Sequence, residues 1–241
     1  RLCAMNLFLH GIGGEESPVE GGRDSLASPP QAQVDMVLTN PPFGKKSSIT
    51  VVNEEGKAQK ESLTYERADF SATTSNKQLN FVQHVIVMLK PGPGRAAMVV
   101  PDNVLFEGGA GETVRRKLLE KCDVHTLLRL PTGIFYAQGV KANVLFFDRK
   151  PASSTHWTQT LWIYDLRTNL HFTLKEHPLA FADLEDFVAC YRADNRRKRQ
   201  ESERFKSFKL EELLARDKAS LDIFWLKDDS LEANENLPAP Q

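Results

Sequence analysis

The stretch Val34-Asp35-Met36-Val37-Leu38-Thr39-Asn40-Pro41-Pro42-Phe43 decides the fold and the place of the candidate site. Its apolar residues predict a short buried strand, which Asn-Pro-Pro-Phe ends. Each proline keeps the residue before it extended, and neither has an N–H. The turn therefore offers a side-chain amide, a row of carbonyl oxygens and one aromatic ring. It lies just past the carboxyl end of a strand, where open α/β sheets bind their ligands.

These groups suit a planar base that carries an exocyclic amine. The side-chain oxygen of Asn40 and the backbone carbonyl of Pro41 can each accept one N–H of the amine, Phe43 can stack on the ring, and Pro42 fixes the turn. Two acceptors draw the nitrogen lone pair out of conjugation and aim it at an electrophile. The alternative is an ordinary proline turn with Phe43 in the core, but the motif after an apolar strand favours a base-binding site.

Asn40-Pro41-Pro42-Phe43 after such a strand resembles the target-base motif of amino-methylating DNA methyltransferases. Four stretches are similar, more specifically, to the modification subunit of type I restriction systems: Phe43-Gly44-Lys45-Lys46, Leu79-Asn80-Phe81-Val82-Gln83-His84, Pro131-Thr132-Gly133-Ile134-Phe135 and Leu221-Asp222-Ile223-Phe224-Trp225-Leu226-Lys227-Asp228. The resemblance covers nearly the whole chain. It implies adenine-N6 methylation of DNA with S-adenosylmethionine, without a covalent enzyme intermediate.

The resemblance also implies a fragment that lacks the N-terminal part of such a subunit. The family's glycine-rich cofactor loop precedes the matched region, so the chain alone is expected to be inactive and to bind the cofactor poorly. The family also has an acidic residue before the target-base strand that helps to hold the cofactor's adenine. Asp24 matches it, with Ser25 and Leu26 beside it as further cofactor-binding candidates. A solvated loop aspartate is the alternative.

Four more residues are candidates for binding the DNA. Phe135 or Phe172 could wall the far side of a flipped base, as an aromatic residue does in relatives with this motif, although core packing would also explain both. Lys45 and Lys46 could contact phosphates. A solvated loop accounts for the two lysines equally well.

The predicted elements alternate between strands and helices. Helices are predicted at 76–90 and 112–121, strands at 96–100 and 124–130, and a reversed strand at 143–147. The fold class is α/β: a Rossmann-like methyltransferase fold with a doubly wound, mostly parallel sheet, of which the C-terminal half is present. Residues 1–175 are assigned to the catalytic domain, with a mobile loop at 44–75, and 176–241 to a helical C-terminal extension. Asn80 and Gln83 are interpreted as polar residues on the exposed surface of their helix.

Composition and charge limit the partners. The chain has 241 residues, 41% of them hydrophobic, and a net charge of −1. It is no polycation, so DNA contacts need local patches or a partner. Three distant cysteines predict reduced thiols in the cytoplasm. The six scattered histidines predict no metal site, and no apolar run or secretory signal predicts a membrane contact.

The resemblance implies as partners DNA and the specificity and restriction subunits of a type I complex, and it allows a second modification subunit. Three alternatives stay open at this point. The same motif serves enzymes that methylate base amines of ribosomal RNA, and others that methylate a protein glutamine. The chain could also be a non-catalytic assembly module.

Overall fold

The protein is described here by a computed structural model, which covers residues 2–14, 17–19, 21, 24–44, 48–52, 58–62, 64–136 and 139–228. Its strands are β1 (Met36–Thr39), β2 (Ser48–Val52), β3 (Ala58–Ser62), β4 (Arg95–Pro101), β5 (Cys122–Arg129), β6 (Ala142–Arg149), β7 (Thr160–Asp165) and β8 (Phe205–Lys209). Its helices are α1 (Leu2–Leu9), α2 (Lys77–Met88), α3 (Asp102–Phe106), α4 (Ala110–Lys121), α5 (Glu185–Tyr191) and α6 (Leu210–Ala215).

Six strands form one open sheet in the order β1-β4-β6-β5-β7-β8. Strands β1, β4, β5 and β7 run in one direction, because β1 is parallel to β4, β7 is parallel to β5, and β6 lies antiparallel between β4 and β5. The reversed strand that the short connection predicts is therefore confirmed as β6. The predicted Rossmann-like sheet with one reversed hairpin strand is also confirmed.

Two apolar clusters cover the two faces of the sheet. Along β7, Leu161 and Ile163 belong to the larger cluster, while Tyr164 belongs to the smaller one, as expected from the alternation of side chains along a strand. The larger cluster joins α2, α4 and α6 to the sheet, and the smaller one includes Phe187 of α5. At the edge strand β1, Leu38 remains 73% exposed.

Two expectations are corrected, the loop at 44–75 and the purely helical extension at 176–241. Residues 44–75 include the antiparallel hairpin of β2 and β3, and within 64–75 the side chain of Tyr65 is buried. Region 176–241 is not only helical, because β8 pairs with β7 and buries Phe205 completely. Phe205 and Phe208 are the two apolar side chains of this lysine-containing strand, and because they are three positions apart they do not show the alternation that marks a strand. The division into two domains stays a prediction.

Among the described residues, no helix is long and apolar enough to cross a membrane.

Candidate active site at the carboxyl edge of the sheet

The predicted target-base motif lies directly after β1 at the carboxyl edge of the sheet. β1 pairs in parallel with β4, with Thr39 opposite Met98. Pro41 is buried, whereas Asn40 is exposed, and no side-chain hydrogen bond between described residues involves Asn40. The amide of Asn40 is thus held by a buried proline on a short strand while its oxygen and nitrogen stay available to a ligand.

An aromatic residue from a second strand end reaches the motif. Phe135 lies on the connection between β5 and β6, and its ring meets the ring of Phe43 edge to face, with centroids 5.5 Å apart and an interplanar angle of 79°. Phe43 is still 37% exposed. The structure therefore brings together Phe43 and Phe135, two of the residues singled out from the sequence. Tyr136, next in the chain, points into solvent with 94% of its surface exposed.

Phe172 has a different environment. Its side chain is 6% exposed and its ring stacks on His177, with centroids 4.8 Å apart. Its backbone carbonyl lies against Gly133, whose φ of +86° is in the region that favours glycine. A Cβ at Gly133 would collide with the Phe172 carbonyl oxygen. The Phe172 backbone therefore packs against the connection that carries Phe135.

A largely buried polar network lies at the same edge of the sheet, just past the carboxyl end of β4, and it was not predicted from the sequence. Asp102, the first residue of α3 directly after β4, accepts hydrogen bonds from Arg167 at 2.8 and 3.0 Å and from the side-chain amide of Asn143 at 2.8 Å. Burial alone would raise the pKa of Asp102, but the Arg167 and Asn143 contacts hold it below its ordinary value. The sequence feature that could have indicated Asp102 is the same one that indicated Asn40, a polar residue just past the carboxyl end of a strand.

A second buried arginine ties the C-terminal segment to the same edge. Arg129, the last residue of β5, is fully buried. It donates to Asp222 at 2.8 Å and to the Ile223 carbonyl at 3.1 Å, and it lies 3.9 Å from the centre of the Phe224 ring. This segment is part of the closing stretch that resembles the type I family, so one function of that stretch is to cover the end of β5.

Asp24 lies in a turn held by residues from the segment after β3. Its carboxylate accepts from the Tyr65 hydroxyl at 2.6 Å and from the Leu26 amide at 3.0 Å. Arg67 donates to the Leu26 carbonyl at 3.3 Å. Leu26 is 1% exposed, so its side chain packs in the protein, while Asp24 and Ser25 remain exposed. Of these three candidates, Asp24 carries the chemistry that suits an amine donor.

The segment 64–75 is held by polar side chains on α2. The Gln83 amide oxygen accepts from the backbone N–H groups of Ser71 and Ala72 at 2.7 and 2.9 Å. Asn80, which is completely buried, donates to the Thr74 carbonyl at 2.9 Å. The interpretation of Asn80 and Gln83 as exposed polar residues is therefore wrong, because both side chains are buried. They bind the segment 64–75 through hydrogen bonds to its backbone, and such contacts leave no apolar periodicity in the sequence.

S-adenosylmethionine fits the described residues only in part. Asp24 could accept from the cofactor's adenine amine, since each of its oxygens has a further lone pair. The four described strands that run in one direction, β1, β4, β5 and β7, are followed by Asn-Pro-Pro, Asp102, Leu-Pro and Leu-Arg. None of these is a glycine-rich loop that could cradle the rest of the molecule. Lys45 and Lys46 lie outside the described residues. The described part of the chain contains no group of three or more histidine, cysteine or acidic side chains that could hold a metal.

Comparison with known proteins gives the family. Residues 1–223 match the family described as N-6 DNA methylase. The chain belongs to this family. It is 40% identical to the type I restriction enzyme StySPI methylase subunit of Salmonella potsdam and 39% identical to the EcoKI methylase subunit of Escherichia coli, each match covering all of this chain and 49% of the relative. The chain thus spans about half the length of these curated relatives.

Solved structures agree with this assignment. The crystal structure of the EcoKI M protein superposes with a TM-score of 0.79 at 38% identity, over 95% of this chain and 51% of that one. A structure described as bearing on complex assembly and conformational transition of a type I restriction-modification system matches 99% of this N-6 DNA methylase chain, with a TM-score of 0.71 and 29% identity.

Proposed function

We propose that this chain forms the base-binding half of an S-adenosylmethionine-dependent DNA adenine-N6 methyltransferase, the modification subunit of a type I restriction-modification system. The observation that carries the proposal is the exposed amide of Asn40 on a buried proline turn beside the Phe43–Phe135 pair. Membership of the N-6 DNA methylase family supports the same chemistry.

The residues of the motif act on the target amine. Asn40 Oδ1 and the Pro41 carbonyl each accept one N–H of the adenine N6 group, while Phe43 stacks on the extruded base. The two acceptors hold the amine so that its lone pair points out of the ring plane. S-adenosylmethionine, when bound, supplies the electrophilic methyl group. After transfer the amine releases one proton to solvent, and no side chain of this protein forms a covalent bond.

Phe135 completes the pocket in this proposal. Its edge-to-face contact with Phe43 gives the base one stacking surface and one edge contact, an arrangement that aromatic rings prefer over a face-to-face sandwich. Asp24 is assigned to the adenine amine of the cofactor. Lys45 and Lys46 follow the motif directly in the sequence, so we assign them to phosphates next to the flipped nucleotide.

DNA recognition requires partners in this account. A net charge of −1 gives the chain little attraction of its own to a polyanion. We therefore propose that a specificity subunit selects the sequence, that the complex also binds a restriction subunit and can hold a second modification subunit, and that it works in the cytoplasm.

Radiolabelled methyl transfer tests the function. A full-length subunit that contains these 241 residues, mixed with a specificity subunit, should transfer label to duplex DNA, and nucleoside analysis should place it on adenine N6. Without the specificity subunit the transfer should fall sharply. Label on ribosomal RNA or on a protein glutamine, with none on DNA, would contradict the assignment of substrate. No transfer to any of the three would favour a non-catalytic assembly role.

A further inference from the structure

One arginine closes the neck of the connection that carries Phe135. This connection leaves β5 at Leu130 and enters β6 at Ala142. The Nε group of Arg167 donates to the Leu130 carbonyl at 2.8 Å, and its Nη2 group donates to the Ala142 carbonyl at 2.8 Å. The Leu130 amide itself donates to the Ala142 carbonyl at 3.0 Å. Arg167 therefore holds both ends of the connection together.

Asp102 fixes the orientation of the Arg167 guanidinium. Its two oxygens receive separate N–H groups at 2.8 and 3.0 Å, which is the paired geometry that gives an arginine–carboxylate contact its directional strength. The Arg167 side chain is 10% exposed and that of Asp102 is 17% exposed, so water screens the pair only weakly. Asn143 joins the pair by donating to Asp102 at 2.8 Å.

The turn that presents Arg167 is itself held in place. Asp165, at the end of β7, is fully buried and accepts from the backbone amides of Arg167 and Thr168, each at 2.7 Å. Arg204 donates to the carbonyl oxygens of Asp165 and Thr168, each at 3.0 Å. A turn held this way cannot shift without breaking several buried hydrogen bonds.

The chain just after this turn also contacts the connection, at Gly133. The Phe172 carbonyl lies so close to Gly133 that a side chain there would collide with it. Phe135 follows Gly133 by two residues and rests on Phe43. The segment from Asp165 to Phe172 thus contacts the connection at two places, at its neck through Arg167 and at Gly133 through Phe172.

We propose that Arg167 is a positioning residue for the base pocket: by closing the neck of the β5–β6 connection it keeps the Phe135 ring against Phe43. This inference rests on the proposed function, because it assigns Phe135 to the pocket wall. A displaced wall lets the base sample unproductive orientations. Misplacement of about 1 Å can cost on the order of a hundredfold in rate. Removal of Arg167 should therefore lower kcat far more than it changes KM for the cofactor.

The test compares two arginines in the full-length subunit with its specificity partner. Arg167 contacts the first residue of β6, Ala142, and Arg149 is the last residue of that strand. Arg167→Met removes the clamp, and Arg167→Lys keeps a cation that cannot span both neck carbonyls. Arg149→Met is the matched control, since Arg149 also donates to a backbone carbonyl, that of Lys121 at 2.9 Å, but from the far end of the strand. Amide hydrogen exchange and steady-state methyl transfer are measured for each.

For Arg167→Met we expect faster exchange at 130–136 and 139–142, and a fall in kcat of about ten- to a hundredfold. Arg167→Lys should give the same exchange pattern with a smaller fall. Arg149→Met should leave both exchange at 130–136 and kcat unchanged. Guanidinium ion at millimolar concentration should restore part of the activity of Arg167→Ala, whereas neutral urea should not.

Unchanged exchange at 130–136 in a folded Arg167→Met or Arg167→Lys protein would overturn the inference. So would faster exchange with an unchanged kcat, since the neck would then be open without harm to the pocket. If the unmodified methylase transfers no methyl group, the proposed function fails, while hydrogen exchange still decides whether Arg167 holds the connection.

Discussion

Phe43 and Phe135 touch edge to face at a centroid separation of 5.5 Å, although 92 positions (135 − 43) separate them in the chain. The carboxyl ends of β1 and β5 lie at the same edge of the sheet, and Arg167 and the Phe172 carbonyl contact the β5–β6 connection that carries Phe135. It joins the stretch after β1 to the β5–β6 connection, which we propose as the second wall of the base pocket.

The stacking role of Phe43 can be separated from its packing. Phe43→Ala should weaken binding of the extruded base, while Phe43→Tyr should be tolerated because the stacking face remains. The measurement is the fluorescence of 2-aminopurine at the target position, in the complete methylase on its DNA. Loss of one base–aromatic stack is worth about 1–3 kcal/mol. Equal fluorescence for the unmodified enzyme and Phe43→Ala would remove Phe43 from this role.

Cofactor affinity of the 241 residues alone is expected to be low. Asp24 is the only described group that we assign to S-adenosylmethionine, and one carboxylate cannot hold a ligand of that size. Calorimetry should show no site tighter than roughly micromolar, whereas a full-length subunit should show one. Micromolar or tighter binding by the 241 residues would place the cofactor site within this chain and contradict the assignment.

The buried side chain of Arg115 should contribute strongly to the free energy of unfolding. It is 1% exposed and donates to four carbonyl oxygens, those of Val104, Glu107, Lys218 and Ala219, at 2.6–3.2 Å. Burial lowers its pKa to about 10, so it remains charged at neutral pH. Arg115→Ala leaves these carbonyls without their donor and should lower the free energy of unfolding by ~3–5 kcal/mol.

The next residue on α4 supplies the control for that prediction. Arg116 pairs with Glu112 one helical turn away at the surface, and such pairs contribute only about 0.3–0.5 kcal/mol. Urea denaturation of Arg116→Ala should therefore differ little from that of the unmodified protein. A similar loss for both variants would show that the carbonyl contacts of Arg115 are worth no more than a surface ion pair.

Stability should fall on mild acidification because of His84. Burial and the adjacent Arg67 guanidinium, 3.0 Å from Nδ1, lower the pKa of His84. The folded-state pKa then lies below the unfolded value of about 6.5, so the unfolded chain binds the proton more readily. The contribution of neutral His84 is fully present above that pH and is lost as the pH falls towards the folded-state pKa.

Urea denaturation on either side of that pH checks the histidine. His84→Gln keeps an oxygen acceptor for Arg67 and does not titrate, so its stability should depend less on pH than that of the unmodified protein. His10→Gln, at an exposed position, is the control. Burial also lowers the pKa of His125, which accounts for the dependence that remains in His84→Gln. Identical pH profiles for His84→Gln and the unmodified protein would rule out His84.

The parts of the fold that could be predicted are those organised by apolar periodicity. The stripe of α2 and the short apolar runs of β4, β5 and β6 follow from local patterns, and Asn40 and Phe43 follow from a local motif. The missed parts depend on polar contacts between distant positions. Arg167 and Asp102 are 65 positions apart, and Gln83 holds the backbone of Ser71 and Ala72 through its amide oxygen. No periodicity marks such pairs.

Methyl transfer by Asn40→Ala decides whether Asn40 holds the target amine. In a full-length subunit with its specificity partner, loss of one preorganised hydrogen-bonding group should reduce kcat by about a hundred- to a thousandfold. Cofactor affinity should hardly change, because the proposal places Asn40 against the base and not against the cofactor. Asn6→Ala, at an exposed position of α1, is the matched control and should be fully active. Near-normal methylation by Asn40→Ala would contradict the account.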